Sequence, residues 1–255
     1  MIQTLAPVDR LTSLGSGLFT LTLHAPRIAA VVKPGQFLNI KVSELGVPFL
    51  RRPFSVYHRE GPSVTILFGV IGTGTSLLSH VKPGDRLDIL GPLGVPFTTD
   101  DEYDTAILVG GGLGVAPLPL LTEFVRSRGK AIQTFLGART SGQIVGEHLV
   151  NLHIATDDGT SGYRGTIVEC LRQYLMAAEP ARRKIFACGP TAMIKSLMGV
   201  TGEFAVAAEV SLESVMACGI GICQGCPVER TGGPKKYALI CKDGTVFDIT
   251  SIRLT

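Results

Sequence analysis

Four of the six cysteines fall within the last 38 residues, and their spacing concentrates more chemistry than any other stretch of the chain. Cys218, Cys223, Cys226 and Cys241 read C-x4-C-x2-C, then fourteen residues, then the last cysteine. Four thiolates in that arrangement match the plant-type ligand set of a [2Fe–2S] cluster, with two thiolates for each tetrahedral iron. The intervening Gly219, Gly221 and Gly225 allow tight turns in which backbone N–H groups point at sulfur. Two other uses of these residues stay open. A zinc site takes the same ligands but usually presents two C-x2-C knuckles, and only one is present. A redox pair would use Cys223 and Cys226 and leave Cys218 and Cys241 idle. Brown colour in the purified protein would separate the cluster from both. Of the remaining thiols, Cys170 lies in a helical run and reads as an ordinary buried side chain. Cys188 is different, because Ala187-Cys188-Gly189-Pro190 ends a strand, where open α/β sheets bind their ligands.

A second constellation is rich in glycine. Gly110-Gly111-Gly112-Leu113-Gly114-Val115-Ala116-Pro117 follows an apolar strand and opens a helix, which offers backbone donors to a pyrophosphate. It is out of register with the G-x-G-x-x-G fingerprint, and a tight strand-to-helix turn explains only one or two of its four glycines. Cys188-Gly189-Pro190 supplies a plausible second wall. Nearer the N-terminus, Arg51-Arg52-Pro53-Phe54-Ser55 combines a guanidinium fork suited to phosphate with an aromatic ring and a hydroxyl suited to a flavin. Gly72-Thr73-Gly74-Thr75-Ser76-Leu77-Leu78-Ser79 adds small residues and hydroxyls for a further phosphate contact. Taken singly, a basic turn and a glycine hairpin account for these two segments equally well.

The elements that must position these groups fall into three units. Residues 1 to about 98 are β-rich, with short apolar or alternating runs at Leu18 to Leu23, Gln36 to Val42, Val64 to Val70 and Arg86 to Leu90. Turns at Pro34-Gly35 and Pro83-Gly84 separate them, a pattern that favours a small antiparallel barrel. After Asp104 the pattern changes to strands alternating with helices. Strands are expected at Thr105 to Val109, Ala131 to Leu136, Leu152 to Ala155, Lys184 to Ala187 and Phe204 to Ala207. Helices are expected up to Arg126, over Thr166 to Met176, and from Thr191 to about Met198. That alternation predicts a parallel α/β sheet. The remaining cysteine-rich, turn-rich stretch is too short to fold on apolar burial alone and needs a metal or a neighbouring domain. The expected fold is therefore multidomain β plus α/β, with units at 1–100, 101–208 and 209–255.

Composition excludes several function classes. The formal net charge is +3, and no basic run exceeds Arg182-Arg183-Lys184, which is too little for a nucleic-acid footprint. The uncharged stretch Thr105 to Thr122 approaches membrane-spanning length but holds four glycines and two prolines, and reads as strand, turn and helix start. The first residues lack a signal-peptide pattern, so a soluble cytoplasmic protein is expected, without membrane or nucleic-acid partners. The five histidines are scattered and are assigned no role.

The order of the motifs carries more than any one of them. R-P-F-S, G-T-x-x-L-S, G-D-x-L-x-I-L-G-P-L-G (Gly84 to Gly94), G-G-G-L-G-V-A-P-L and C-G-P together resemble the ferredoxin–NADP reductase superfamily. With the appended S-L-E-x-V-M-A-C-G-x-G-x-C-x-G-C (Ser211 to Cys226), the whole chain resembles the electron-transfer subunits of prokaryotic NAD-dependent dihydroorotate dehydrogenases. The resemblance implies FAD on the barrel, NAD(H) on the α/β domain and a [2Fe–2S] cluster in the C-terminal lobe. It implies FAD contacts from Arg52, Pro53, Phe54, Ser55, Gly74 and Thr75, with Phe68, Gly69 and Val70 bordering the flavin. It also implies nicotinamide contacts from Gly111, Gly112, Gly114, Cys188, Gly189 and Pro190, and cluster ligation by Cys218, Cys223, Cys226 and Cys241. Phe54 stands where many superfamily members have Tyr, so a ring hydroxyl contact is missing. The implied partner is an FMN-containing catalytic subunit that oxidises dihydroorotate to orotate in pyrimidine biosynthesis, in a heterotetramer of two copies of each. Electrons would then pass through this chain to NAD+. Two alternatives remain: a reductase subunit serving ferredoxin, a hydrogenase or another oxidoreductase, and a non-catalytic iron–sulfur or zinc scaffold.

Overall fold

The computed structural model describes residues 1–43, 46–179 and 181–254. Glu44, Leu45, Pro180 and Thr255, which fall inside the expected units, lie outside the described residues. The N-terminal strands are β1 (Ile2–Gly15), β2 (Leu18–His24), β3 (Phe37–Ile40), β4 (Arg52–Glu60), β5 (Ser63–Gly69) and β6 (Arg86–Leu93), with short helices α1 (Pro26–Ala29) and α2 (Thr73–Leu78) between them. They close into an antiparallel barrel in the order β1-β2-β5-β4-β3-β6. β1 makes closure possible by serving two neighbours: Ile2 to Pro7 pair with β6, and Val8 to Gly15 pair with β2. Alternation along each strand builds the interior. On β2, Leu21 and Leu23 are buried while Thr22 faces out, where its hydroxyl meets that of Thr65 at 3.0 Å. β6 repeats the pattern with Leu87 and Ile89.

The second unit contains β7 (Thr105–Gly111), α3 (Leu118–Ser127), β8 (Ala131–Ala138), β9 (Leu152–Thr156), β10 (Tyr163–Arg164), α4 (Ile167–Ala177), β11 (Arg183–Cys188), α5 (Thr191–Phe204) and β12 (Ala207–Ser211). These six strands run parallel, with β7 and β11 at the centre and buried almost throughout, as a sheet covered on both faces requires. The capping box at α4 follows from its sequence. Thr166 Oγ1 accepts from the Glu169 N–H at 3.2 Å, and Glu169 Oε2 accepts from the Thr166 N–H at 3.1 Å.

One expected element is placed differently. Phe204 to Ala207 was the expected closing strand, but α5 runs on to Phe204, Ala205 takes a left-handed conformation at φ 50°, and the strand begins at Ala207. Ile194, Leu197, Val200 and Thr201 form a buried face at helical spacing, so burial carries the helix well past Met198.

The C-terminal stretch adds β13 (Pro227–Arg230), β14 (Tyr237–Leu239), α6 (Ile240–Asp243), β15 (Val246–Asp248) and β16 (Ile252–Arg253). It solves its small-size problem by joining its neighbours. β15 pairs antiparallel with β12 and becomes the seventh strand of the sheet, while β14, β13 and β16 form a small sheet of their own. Cys226, Val228, Ile240, Cys241, Phe247 and Ile249 belong to the same apolar cluster as Ile107, Phe135 and Ile185 of the α/β unit. Hydrogen bonds hold it to the barrel side: Thr245 Oγ1 donates to the Gly35 carbonyl at 2.6 Å, and the Val95 N–H donates to the Gly244 carbonyl at 2.5 Å. Barrel and α/β sheet are joined by the Arg59–Glu123 ion pair at 2.7 Å between β4 and α3. No helix of the described residues is long and apolar enough to cross a membrane.

Candidate functional site

The cysteine loop runs from Met216 to Cys226, between β12 and β13, and Cys241 returns to it from α6. The expected N–H···S contacts form within it. Cys218 Sγ accepts from the Ile220 and Cys223 N–H groups at 3.4 Å each, Cys241 Sγ accepts from Gly221 at 3.1 Å, and Cys226 Sγ accepts from Cys241 at 3.4 Å. Gly221 donates from φ +83°, a conformation that favours a residue without Cβ. Burial pushes the Cys218 thiol up, but its N–H donors outweigh burial and hold it at about 6. At Cys241 burial and the adjacent Cys226 act together and push the thiol up to about 12. Cys226 and Cys241 are buried, while Cys223 is exposed at the outer edge. Four clustered thiols, three of which receive backbone N–H groups, suit an iron–sulfur cluster, and a metal taking them must displace the Cys241 proton. Among the described residues no three His, Cys, Asp or Glu side chains close on a single-ion geometry.

The loop is docked on the barrel by a residue that sequence reasoning missed. Asn39 on β3 is 1% exposed, and its Nδ2 donates to the Cys218 carbonyl at 3.1 Å. In the β3–β4 register Asn39 sits opposite Pro53, with Ile40 opposite Arg52 and Phe37 opposite Ser55. The strand pair that carries Arg52 to Ser55 therefore also holds the cysteine loop. The one signal in the sequence is an amide inside the apolar run Phe37-Leu38-Asn39-Ile40.

The expected flavin residues lie at one end of the barrel. The Arg52 side chain lies across Gly74 at the start of α2: a Cβ on Gly74 would be 3.2 Å from Arg52 Nε. Thr75 Oγ1 accepts from the N–H groups of Ile71 (2.9 Å) and Gly72 (3.2 Å), so this hydroxyl builds the turn that starts α2. The Ser55 hydroxyl has no hydrogen-bond partner among the described residues. Phe54 is only 9% exposed; its ring meets Phe68 edge-on at 5.9 Å, and Phe68 stacks on Phe19 at 5.7 Å. The Phe54 ring is thus part of the barrel's aromatic core and does not stand free.

A cleft of about 560 Å³ opens between the barrel end and the carboxyl ends of the sheet strands. Gly69 at the end of β5 with the following Val70, and Gly111 at the end of β7 with the following Gly112, line it, with Pro190 just before α5. A Cβ on Gly69 would lie 3.2 Å from Leu113 Cδ1, so the two glycine-bearing strand ends approach closely there. Gly114 and Cys188 stand behind the wall. An added Cβ on Gly114 would lie 2.2 Å from the Cys188 carbonyl oxygen, so the close approach of the two loops requires glycine. Cys188 is 1% exposed, and burial, with the Glu213 charge nearby, pushes its thiol far up, which keeps it neutral. Sequence reasoning also missed Arg139 at the end of β8 and Asp157 at the end of β9, which line the far end of the cleft.

Comparison with known proteins agrees with this geometry. Residues 213–253, which hold all four clustered cysteines, match the model of the iron–sulfur cluster binding domain of dihydroorotate dehydrogenase B. The electron transfer subunit of dihydroorotate dehydrogenase B (NAD(+)) from Desulforamulus reducens is 35% identical over 237 residues, covering 90% of each chain. The corresponding subunit from Geobacillus thermodenitrificans is 37% identical over 238 residues, again covering 90% of each. The chain belongs to this family. A solved NADH-dependent reduced ferredoxin-NADP oxidoreductase, described for flavin-based electron bifurcation, superposes with a TM-score of 0.86 at 29% identity, covering 98% of this chain and 90% of that one. Phthalate dioxygenase reductase shares the fold at 16% identity, with a TM-score of 0.68 and coverage of 98% and 95%. Within the dihydroorotate dehydrogenase B electron-transfer family, the barrel, sheet and cysteine lobe of this chain form one continuous unit built around the cleft and the Asn39 contact.

Proposed function

We propose that the chain is the electron-transfer subunit of a cytoplasmic dihydroorotate dehydrogenase, relaying electrons between a catalytic partner and NAD(H). In this reading an FMN-containing partner oxidises dihydroorotate, and two copies of each subunit assemble. The observation that carries the reading is the Asn39–Cys218 contact. It joins the strand pair bearing Arg52, Pro53, Phe54 and Ser55 to the loop bearing Cys218, Cys223 and Cys226, so two redox groups would lie within one protein contact of each other.

The residues divide the work as follows. Arg52, lying over Gly74 at α2, offers its guanidinium to the FAD pyrophosphate. Ser55, with a hydroxyl not committed elsewhere, is available to a polar edge of the flavin ring. Phe54, packed against Phe68 in the barrel, would back the flavin site. Gly69, Val70, Gly111, Gly112 and Pro190 line the cleft that would hold nicotinamide, while Gly114 and Cys188-Gly189 set the depth of its wall. Cys218, Cys223, Cys226 and Cys241 would hold the cluster, and the N–H donors of Ile220, Gly221 and Cys223 would stabilise its negative charge. When bound, FAD exchanges hydride for single electrons and the cluster conducts them one at a time. No side chain is required to move a proton between the cofactors.

The test is the cofactor content of the purified protein followed by anaerobic titration with NADH. Stoichiometric FAD, iron and acid-labile sulfide, with bleaching of both flavin and cluster absorbance, are expected. A colourless protein with bound zinc would overturn the reading.

A further inference from the structure

Asn39 is out of keeping with its surroundings. Along β3 the side chains alternate: Leu38 and Ile40 belong to the barrel's own apolar cluster, whereas Phe37 packs with Cys226, Cys241 and Phe247 of the cysteine lobe. Asn39 lies on the same face as Phe37, between Pro53 on β4 and Leu90 on β6. It is thus a polar side chain, 1% exposed, set among apolar neighbours at the junction of barrel and lobe.

Half of its amide is used. Nδ2 donates to the Cys218 carbonyl, and since a carbonyl can only accept, that end of the amide must be the donor. Oδ1 is buried without a hydrogen-bond partner among the described residues. The cost of the unmade acceptor offsets what the hydrogen bond returns, so stability alone does not account for an amide here.

What the amide does accomplish is positional. It holds the main chain of Cys218, whose sulfur is held in turn by the N–H groups of Ile220 and Cys223 at 3.4 Å each. Gly219 is pressed against the amide: a Cβ there would lie 2.5 Å from Asn39 Nδ2 and 3.2 Å from its Cγ. Cys218 is thereby fixed at both its carbonyl and its sulfur, and the carbonyl is fixed to the strand that pairs with Pro53 to Ser55.

We propose that Asn39 is a positioning residue for electron transfer: through Cys218 it fixes the cluster relative to the flavin-bearing strand pair and favours the reduced cluster. The positive end of the amide dipole points at the ligand loop, which favours the form with the additional negative charge. The inference rests on Cys218 being a cluster ligand and on FAD lying at Arg52 to Ser55. In the step it serves, NADH gives two electrons to the flavin as hydride. The flavin passes them on singly and releases one proton to water, and no bond forms or breaks at the cysteine loop.

The experiment compares wild-type holoprotein with Asn39→Leu and Asn39→Ala, which remove the donor while changing bulk in opposite directions. Spectroelectrochemical titration reads the cluster midpoint, and stopped-flow mixing with NADH reads the delay between flavin and cluster bleaching. In both variants, at wild-type iron, sulfide and FAD content, the reduced-to-oxidised ratio of the cluster at a fixed potential should fall about threefold or more. That is a shift of about 30 mV for a one-electron couple. The delay before cluster bleaching should lengthen by about tenfold. A wild-type midpoint and delay in both variants overturn the proposal and leave the functional reading standing, as do shifts of opposite sign, which packing alone would give. Loss of the cluster from both variants, with FAD retained, overturns it in favour of a structural role. A wild-type protein without iron and sulfide overturns both the proposal and the functional reading.

Discussion

Replacing Gly114 with alanine tests whether the glycine turn acts by close approach or merely by being flexible. The added methyl carbon would lie 2.2 Å from the Cys188 carbonyl oxygen, 2.5 Å from its carbon and 2.6 Å from Gly189 Cα. Ordinary contact is more than 1 Å longer, and every atom met is backbone at a buried strand end. No side chain can rotate away, so the turn after β7 and the end of β11 must separate. Overpacking of this kind costs about 1–3 kcal/mol, and the absence of a yielding neighbour puts Gly114→Ala at the upper end. For a chain of this size that lowers the thermal midpoint by roughly 4–10 °C. Because the displaced segment is Cys188-Gly189-Pro190, ADP-ribose binding should weaken as well. The control is Gly202→Ala in α5, where an added Cβ meets nothing within 4 Å. There the same substitution should stabilise by about 0.5–1 kcal/mol. Differential scanning fluorimetry and calorimetric titration read both quantities. A Gly114→Ala protein within 1 °C or so of wild type, with unchanged binding, would refute the close-approach argument.

Other perturbations isolate other parts of the account. Cys223→Ser should abolish cluster absorbance while leaving FAD content and its reduction by NADH intact; a normal iron and sulfide content would remove Cys223 from the ligand set. Arg52→Ala should weaken FAD retention, read as flavin lost on gel filtration, and full occupancy would mean that another group anchors the pyrophosphate. At Asp88, burial pushes the carboxyl up, but the hydrogen bonds from Arg51 and Gln3 prevail and hold it below the usual carboxylate range. A depressed folded pKa stabilises above the unfolded value and is lost as pH falls through the folded one. Asp88→Asn should therefore lower stability at neutral pH and flatten the acid limb below about pH 4, measured by urea denaturation across pH.

What could be read from the sequence was what chemistry ties to local spacing. The clustering of the cysteines, the glycine turn and the Arg52 to Ser55 segment were visible because each is a short run of local spacing. The barrel and the α/β sheet were visible in the switch from period-two patterning to alternating strands and helices. Groups brought together only by register were not visible. Asn39 reaches Cys218 across 179 positions of sequence, and its partner is a carbonyl, which any residue type could supply. Arg139 and Asp157 line one cleft only because β8 and β9 are neighbours. The end of α5 was misplaced because Gly199 and Gly202 lie on its exposed or half-exposed face, while the buried face continues unbroken through Thr201. The cysteine lobe's share in the main sheet was equally hidden, since β15 is three residues long and gains its stability from β12.

The most direct test of the central claim is NAD+-dependent oxidation of dihydroorotate by this chain mixed with the FMN-type catalytic subunit from the same source. Activity in the mixture and in neither component alone is the expected result. A holoprotein replete with FAD and cluster that reduces dyes with NADH, yet gives no dihydroorotate oxidation in the mixture, would contradict the assignment to this partner.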